Sequence, residues 1–591
     1  MKRIICTLML ATFSIVMATS IRAQTVNLPL CGADPSVNTF AWQQAINNAV
    51  PGSTLVLPSG VCVVAKCDVA KGRACYGTTG GRIVSAVDIG NKTNLTFIGA
   101  ADGTSVLKLD PNPPLVNGYH AYCGATHVLS IQQSSFITLR GFTIDGSDGE
   151  LPEDTNQCAG SGGRIDEHMH DVSVVNSTDL AIDHMILTKA HGDGLNLIGN
   201  LGRTERISVT NTEFLANDRA GVTFQRNVGY VTIRENHFRN SGEDQDLDME
   251  PTGGPNELGP YEVNIDNNKF ERIRPGITVT LGSASAQRSN GIRFTNNSIL
   301  PANNSSEGGC IFVYTADNTT IANNKVVGAG NCVTLEAQKV TGLVVDNNIL
   351  EGYANMRNSQ GFFVPFPVIR IVDRVVNQKT ADQDCGAPPK QPCPYLIYYP
   401  DQITITNNTI IQQVQYSPAI KLSNPDALVV AGNNISHTHI IPPLYPFDIR
   451  YPIPRPDSID STFGVTTLPS YGYYLNERTA FQEWSITGNS LSEFADGIRI
   501  APIKAGVTLS SATVSNNAFV TAQNNPQGIW LVGAPTVPQN GFINNLTIDG
   551  NAFGCGFAGP ETNQGILPPN AYVRPSGQAH TGDIGFTASC P

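Results

Sequence analysis

Apolar and polar residues alternate in short runs along most of this chain, and the runs recur in a fixed order. Two runs flank a polar kink of the form I-x-N-N-x-Φ, where Φ is apolar and the leading position is Ile, Val or Phe. The kink stands at Ile265–Phe270, Phe294–Ile299, Ile321–Val326, Val345–Leu350, Ile405–Ile410 and Val514–Phe519. Variants are N-x-x-F at Asn211–Phe214, E-N-H-F ending at Phe238, G-N-S-L at Gly488–Leu491 and G-N-A-F at Gly550–Phe553. The leading apolar residues Ile207, Ile233, Ile265, Phe294, Ile321 and Val345 follow one another at intervals of 24 to 32 residues. Self-similarity at that period predicts a solenoid.

A third run of the form G-I-x-I follows each kink, as at Gly194–Leu197, Gly221–Phe224, Asp246–Met249, Gly276–Val279, Cys310–Val313, Cys332–Leu335, Ala419–Leu422, Gly497–Ile500 and Gly528–Leu531. Period-two alternation sends every second residue into a shared interior. Neither a leucine consensus nor a 3.6-residue periodicity is present, so leucine-rich and helical repeats are excluded. Three short strands per coil, stacked ~4.8 Å apart, predict an all-β right-handed parallel β-helix. Asparagine suits the kink because it tolerates left-handed backbone and its amide can bond from coil to coil.

The ends and interruptions complete the organisation. Residues 1–23 read as a signal peptide, with Lys2 and Arg3, an apolar run from Ile4 to Met17, and cleavage near Ala23–Gln24. Residues 24–60 read as a cap made of a short helix at Phe40–Ala49 and a first strand. Coils are expected over 61–553, with loop insertions at 352–400 and 436–482, and a C-terminal cap over 554–591. Beyond residue 23 no stretch is long and apolar enough to span a membrane, so a secreted, periplasmic or cell-surface protein is expected. Losing Lys2, Arg3 and Arg22 carries the formal charge from −12 to −15, which argues against nucleic acid and anionic membranes as partners. Twelve cysteines beyond Cys6 point to disulfides: Cys31–Cys62, Cys67–Cys75, Cys123–Cys158, Cys310–Cys332, Cys385–Cys393 and Cys555–Cys590.

Chemistry concentrates on four consecutive coils. Asp246, Asp248 and Glu250 alternate with Leu247 and Met249, which predicts three carboxylates on one outer face. Aligning Val172, Leu195, Val222 and Leu247 puts His170 beside Asp193, His168 beside His191, and Asp218 next to His191. Arg219, Arg226 and Arg274 fall within a coil or two. A row of like charges needs a cation or an arginine to answer it.

Two glycan chemistries fit these residue types. In β-elimination of a uronide, a cation or arginine neutralises the sugar carboxylate while a base takes the C5 proton. His191 or His170 would be the base, with Asp246, Asp248 and Glu250 holding Ca²⁺. In hydrolysis, Asp193 with Asp246 or Asp248 would act as acid and base. His168, His170, Arg226 and Arg274 are candidate substrate contacts. A transition-metal site from His168, His170 and His191 is a further reading of the same ligand types.

These residues resemble a known family. Over nearly all of residues 36–560 the repeats look like the pectin-lyase-like superfamily of right-handed β-helix proteins. Arg219–Pro251 is similar to the R-x-G-I…G-I-D-I-E-P stretch of pectate-lyase-superfamily proteins. H-G-D-G-L-N at His191–Asn196 resembles the N-T-D-G-I-D strand of polygalacturonases, though Asp218–Arg219 stands where that pattern has D-D. No G-H-G or R-I-K match follows, and the R-x-P-x-x-R of pectate lyases is missing. The resemblance implies a carbohydrate-active or carbohydrate-binding protein. The expectation is a monomer acting on a polysaccharide, by elimination first, hydrolysis second, with a non-catalytic surface glycan binder as the alternative class.

Overall fold

The computed structural model describes residues 23–65, 84–112, 126–150, 169–239, 245–250, 257–272, 276–282, 287–301, 308–353, 366–377, 393–413, 417–438, 478–494, 497–502, 508–520 and 546–553, with strand pieces at 115–116, 119–120, 459–463, 472–474, 529–531 and 561–562. The chain forms a right-handed parallel β-helix. Each coil contributes three strands, as in Thr178–Asp183, Ile186–Thr188 and Leu195–Ile198. Each strand pairs in parallel with its counterpart one coil on: Ile182 with Val209, Leu187 with Phe214, Leu195 with Val222. Among the described residues the core is mainly apolar, and rings stack along it, with Phe214–Phe238 and Phe238–Phe270 centroids both 4.6 Å apart.

The asparagine pair divides its labour. The first member takes the left-handed turn: φ is 54° at Asn267, 56° at Asn296, 59° at Asn323 and 52° at Asn347. Glycine does the same at Gly432, Gly488 and Gly550. The second member is buried and forms a ladder of ten amides: Asn236, Asn268, Asn297, Asn324, Asn348, Asn408, Asn433, Asn489, Asn517 and Asn551. Each Nδ2 except the last donates to the next Oδ1, and each also donates to a carbonyl of the preceding coil, as Asn324 does to Phe294 O at 2.9 Å. Upstream, His184 and Gly141 take the turn, and Met185 and Phe142 fill the ladder slot.

The N-terminal helix runs Pro35–Asn48, longer than expected. Asp34 caps it, accepting from Ser36 N at 2.9 Å. Its buried face is largely polar for a reason. Gln43 exchanges two hydrogen bonds with the Asp88 backbone and Asn38 donates to Val63 O, so the helix satisfies backbone groups the first coil would leave open.

Several expectations need correction. Both segments read as loop insertions contain coil strands. Ile369–Val372 pairs with Leu335–Gln338, and Ile459–Thr462 pairs with Ile420–Ser423. Ile207 pairs with Val231, so the residue opposite Ile233 is Val209. Leu247 pairs with Val279 rather than Ile277, past a bulge. Cys310–Cys332 and Cys31–Cys62 are both bridged, but Ile311 pairs with Leu335, so Cys332 lies two residues ahead of the slot opposite Cys310. The signal sequence up to residue 22, residues 563–591 of the C-terminal cap and at least one cysteine of each of the other four proposed pairs lie outside the described residues. Among the described residues no helix is long and apolar enough to cross a membrane.

Candidate functional site

The outward positions of the third strands form one row along the solenoid. Register carries it from Ser130 through Ser173, Asn196 and Thr223 to Asp248 and Thr280. It continues through Phe312, Glu336, Arg370 and Lys421 to Asp460 and Arg499. Though they point outward, Ser130, Ser173 and Thr223 are 0 % exposed and Asn196 and Asp248 5 %. Polar groups held in so dry a place interact more strongly than on a wet surface.

Arg219 is the hub of the charged part. It sits in the turn before the strand Val222–Phe224 and pairs with Glu250, while its Nη1 lies 3.8 Å from Asp193 Oδ2. Burial works against its charge, yet Asp193, Glu250 and Asp248 together hold its pKa above the ordinary arginine value. Three carboxyl groups therefore share one permanently charged guanidinium.

Asp193 and His170 lie beneath it, 0 % and 2 % exposed. His170 Nδ1 accepts the Asp193 backbone N–H at 3.0 Å and also approaches Asp193 Oδ2 at 3.2 Å. One nitrogen cannot accept from the amide and donate to the carboxylate at once. The amide contact fixes Nδ1 as acceptor and puts the proton on Nε2, so His170 is neutral and the carboxylate contact is not an ion pair. His170 also stacks on His127, centroids 4.9 Å apart.

The remaining site residues separate. His191 Nδ1 bonds to Asp148 Oδ1 at 2.7 Å, so its partner is Asp148. Asp218 does lie beside His191: donor atoms of Asp148, His191 and Asp218 fall within 4.8 Å of one another, the one group among the described residues close enough to share an ion. Of the proposed cation ligands, Asp246 directly precedes the strand Leu247–Met249. Its buried carboxylate lies 3.5 Å from the equally buried Arg272, and Glu250 is held by Arg219. Two of the three proposed Ca²⁺ ligands thus have arginine partners. Arg226 pairs with Glu257 at 3.0 Å and with Asn200. His168 and Arg274 lie outside the described residues.

Sequence reading missed two acids. Asp148 follows from register, since Thr143 pairs with Ile186 and the same offset takes 148 to 191. Asp171 is fully buried, and burial, then the neighbouring Asp145, push its carboxyl well above the ordinary range. Only the corner packing reveals that, because nothing in D-V-S-V marks the aspartate as dry.

A second group lies further along the same face. Phe312 and Tyr314 rings are 5.3 Å apart, and the Arg374 guanidinium lies 5.5 Å from the Tyr314 ring centroid. Glu336 takes a hydrogen bond from Gln338 at 2.7 Å and lies 3.7 Å from Arg370. Lys339 sits 3.9 Å over the Tyr398 ring.

Residues 170–350 match the family model described as the right-handed β-helix region. No curated protein sequence matches significantly. Among solved structures, the chain is similar to the mannuronan C-5 epimerase A-module of Azotobacter vinelandii, at 13% identity over 84% of this chain and 100% of that one, with a TM-score of 0.39. It is also similar to the family 28 exopolygalacturonase of Yersinia enterocolitica, at 12% identity over 89% and 78%, TM-score 0.39. The tailspike of E. coli bacteriophage HK620 is 11% identical over 90% and 80%, TM-score 0.41.

Proposed function

We propose that this chain, whose residues 170–350 carry the right-handed β-helix family, is a polysaccharide-cleaving protein that works by hydrolysis at Asp248 and Glu250. The observation that supports it is the sharing of the Arg219 guanidinium by Asp193, Asp248 and Glu250 on a polar outer row. Three carboxyls around one cation leave surplus negative charge, which favours the positive charge that develops on a sugar as its glycosidic bond breaks. Paired carboxyls at such a place can divide the roles of acid and base. Asp248, in the strand Leu247–Met249, and Glu250, just past its end, are alternate residues, a spacing of about 7 Å along an extended backbone. Asp193 and His170, buried beneath, are positioning residues for Arg219.

Elimination fits less well. Arg219 is committed to protein carboxylates, His191 to Asp148, and His170 Nδ1 to an amide, so base and clamp are both occupied. Ca²⁺ has no role in this reading, because Arg272 and Arg219 answer Asp246 and Glu250.

The test is the full chain on a panel of neutral and acidic polysaccharides, with and without EDTA. New reducing ends without ultraviolet-absorbing unsaturated product are expected, and EDTA should leave the rate unchanged. Asp248→Asn should lower the rate by roughly 10²–10⁴-fold. Unsaturated product would replace hydrolysis with elimination, and EDTA inhibition reversed by Ca²⁺ would restore the cation. Glycan binding with no product from the wild type would make the protein a binder.

A further inference from the structure

We infer that the outer face around Arg370 and Arg374 is a binding subsite for an anionic group on the glycan, a carboxylate or a sulfate ester, packed against Phe312 and Tyr314. The inference rests on the reading that a glycan lies along this row.

Place comes first. From Asp248 the outward row passes Thr280, Phe312 and Glu336 before Arg370. Four coil steps are roughly 19 Å at ~4.8 Å each, so a chain lying along the row and cut at Asp248 passes over Arg370 several sugars away.

Charge is the second argument. The whole chain carries −12, yet Arg288, Lys339, Arg370 and Arg374 gather here against Glu336 and Asp317. Asp317 is taken by Arg288, whose Nε donates to it at 2.6 Å. Glu336 already accepts from Gln338, and Arg370 reaches it only at 3.7 Å with 40 % of its side chain exposed. Arg374 has no carboxylate within ion-pair distance among the described residues and rests on the Tyr314 ring. With Glu336 near Arg370 alone and no carboxylate in ion-pair range of Arg374 among the described residues, the two guanidiniums leave capacity for an incoming anion, and a guanidinium binds carboxylate or sulfate through paired N–H donors.

The neighbouring lysine reports the same field. Burial first, then Arg288 and Arg374, push Lys339 down to about 8. A site where one more cation is costly is one where an anion is welcome. The tilted Phe312 and Tyr314 rings offer an apolar surface beside it, of the kind on which the C–H face of a sugar packs.

Binding to the full chain should be measured by calorimetry with oligogalacturonate, its methyl ester, a sulfated galactan oligosaccharide and an uncharged oligoglucan, at two salt concentrations. Arg370→Gln and Arg374→Gln are each expected to weaken binding of a charged oligosaccharide by roughly 10- to 100-fold, to weaken its salt dependence, and to leave the denaturation midpoint unchanged. Arg370→Lys should recover part of the loss. Preference for oligogalacturonate identifies a carboxylate, and preference for the sulfated galactan a sulfate. The inference is overturned if the methyl ester or the oligoglucan binds as tightly as the charged ligands, or if both glutamine variants bind like wild type. In either case glycan binding itself would stand. Only absence of binding to all four probes would remove the glycan reading along with it.

Discussion

Asn324→Leu should lower stability by about 3–5 kcal/mol, while Asn323→Gly next to it should change it by about 1 kcal/mol or less. Asn324 Oδ1 accepts from Asn297 N at 2.8 Å and from Asn297 Nδ2 at 3.2 Å, and its own amide donates to Phe294 O and Asn348 Oδ1. Leucine would fill the volume but strand the Asn297 amide donors in a buried corner, each costing about 1–3 kcal/mol. The damage spreads to both neighbouring rungs because the ladder is continuous. Asn323 is different. Its φ of 59° is the only demand on the backbone, and glycine meets that demand at Gly432, Gly488 and Gly550. Its side chain accepts from Asn347 at 2.7 Å at the surface, where water replaces the bond. Denaturant midpoints of the two variants decide the matter: equal losses would mean that the second asparagine is not a ladder residue in energetic terms.

Arg219→Met is expected to destabilise by about 3–5 kcal/mol at pH 8 and much less near pH 4. Methionine keeps the apolar stem packed and removes the guanidinium between Asp193 and Glu250. The pH dependence has a definite sign. Arg219 itself, held above its ordinary value, stays charged over the whole range, so the titrating groups are the carboxyls it serves. Without it their folded pKa values rise above the unfolded values near 4. A carboxyl whose folded pKa is raised costs nothing below its unfolded pKa, and the cost grows as pH rises through the interval to the folded one. Chemical denaturation from pH 4 to pH 8 should therefore show wild type and variant diverging with pH. A gap that stays constant would mean lost packing rather than uncompensated charge.

Much of the site was legible because register is arithmetic. His170 beside Asp193 and Asp218 beside His191 both follow from the pairing of Val172, Leu195 and Val222. The misplacements share one character. Ile207 for Val209, Ile277 for Val279, and Cys332 against Cys310 are each two residues off. A slip of one residue turns every side chain to the wrong face and is visible in the pattern, but a slip of two preserves inside and outside and leaves no trace. The strands Ile369–Val372 and Ile459–Phe463 were hidden for another reason. The coils that contain them are lengthened by Pro-rich aromatic segments that carry no repeat of their own.

The amino-acid sequence by itself determined the β-helix, its three-strand coil and the asparagine ladder, because alternation and kink chemistry are local properties repeated many times. It also located the coils where charge collects. Tertiary structure alone decided what each charge meets. Asp246 and Asp248 are two apart in the chain, yet the first, just ahead of the strand Leu247–Met249, lies against Arg272 and the second acts on Arg219. Partners there come from other coils and other strands, at distances fixed by how the corners turn, and the outer row is dry from Ser130 to Asp248 for the same reason. Burial and partner choice are properties of the stacked coils together, and no single repeat encodes them.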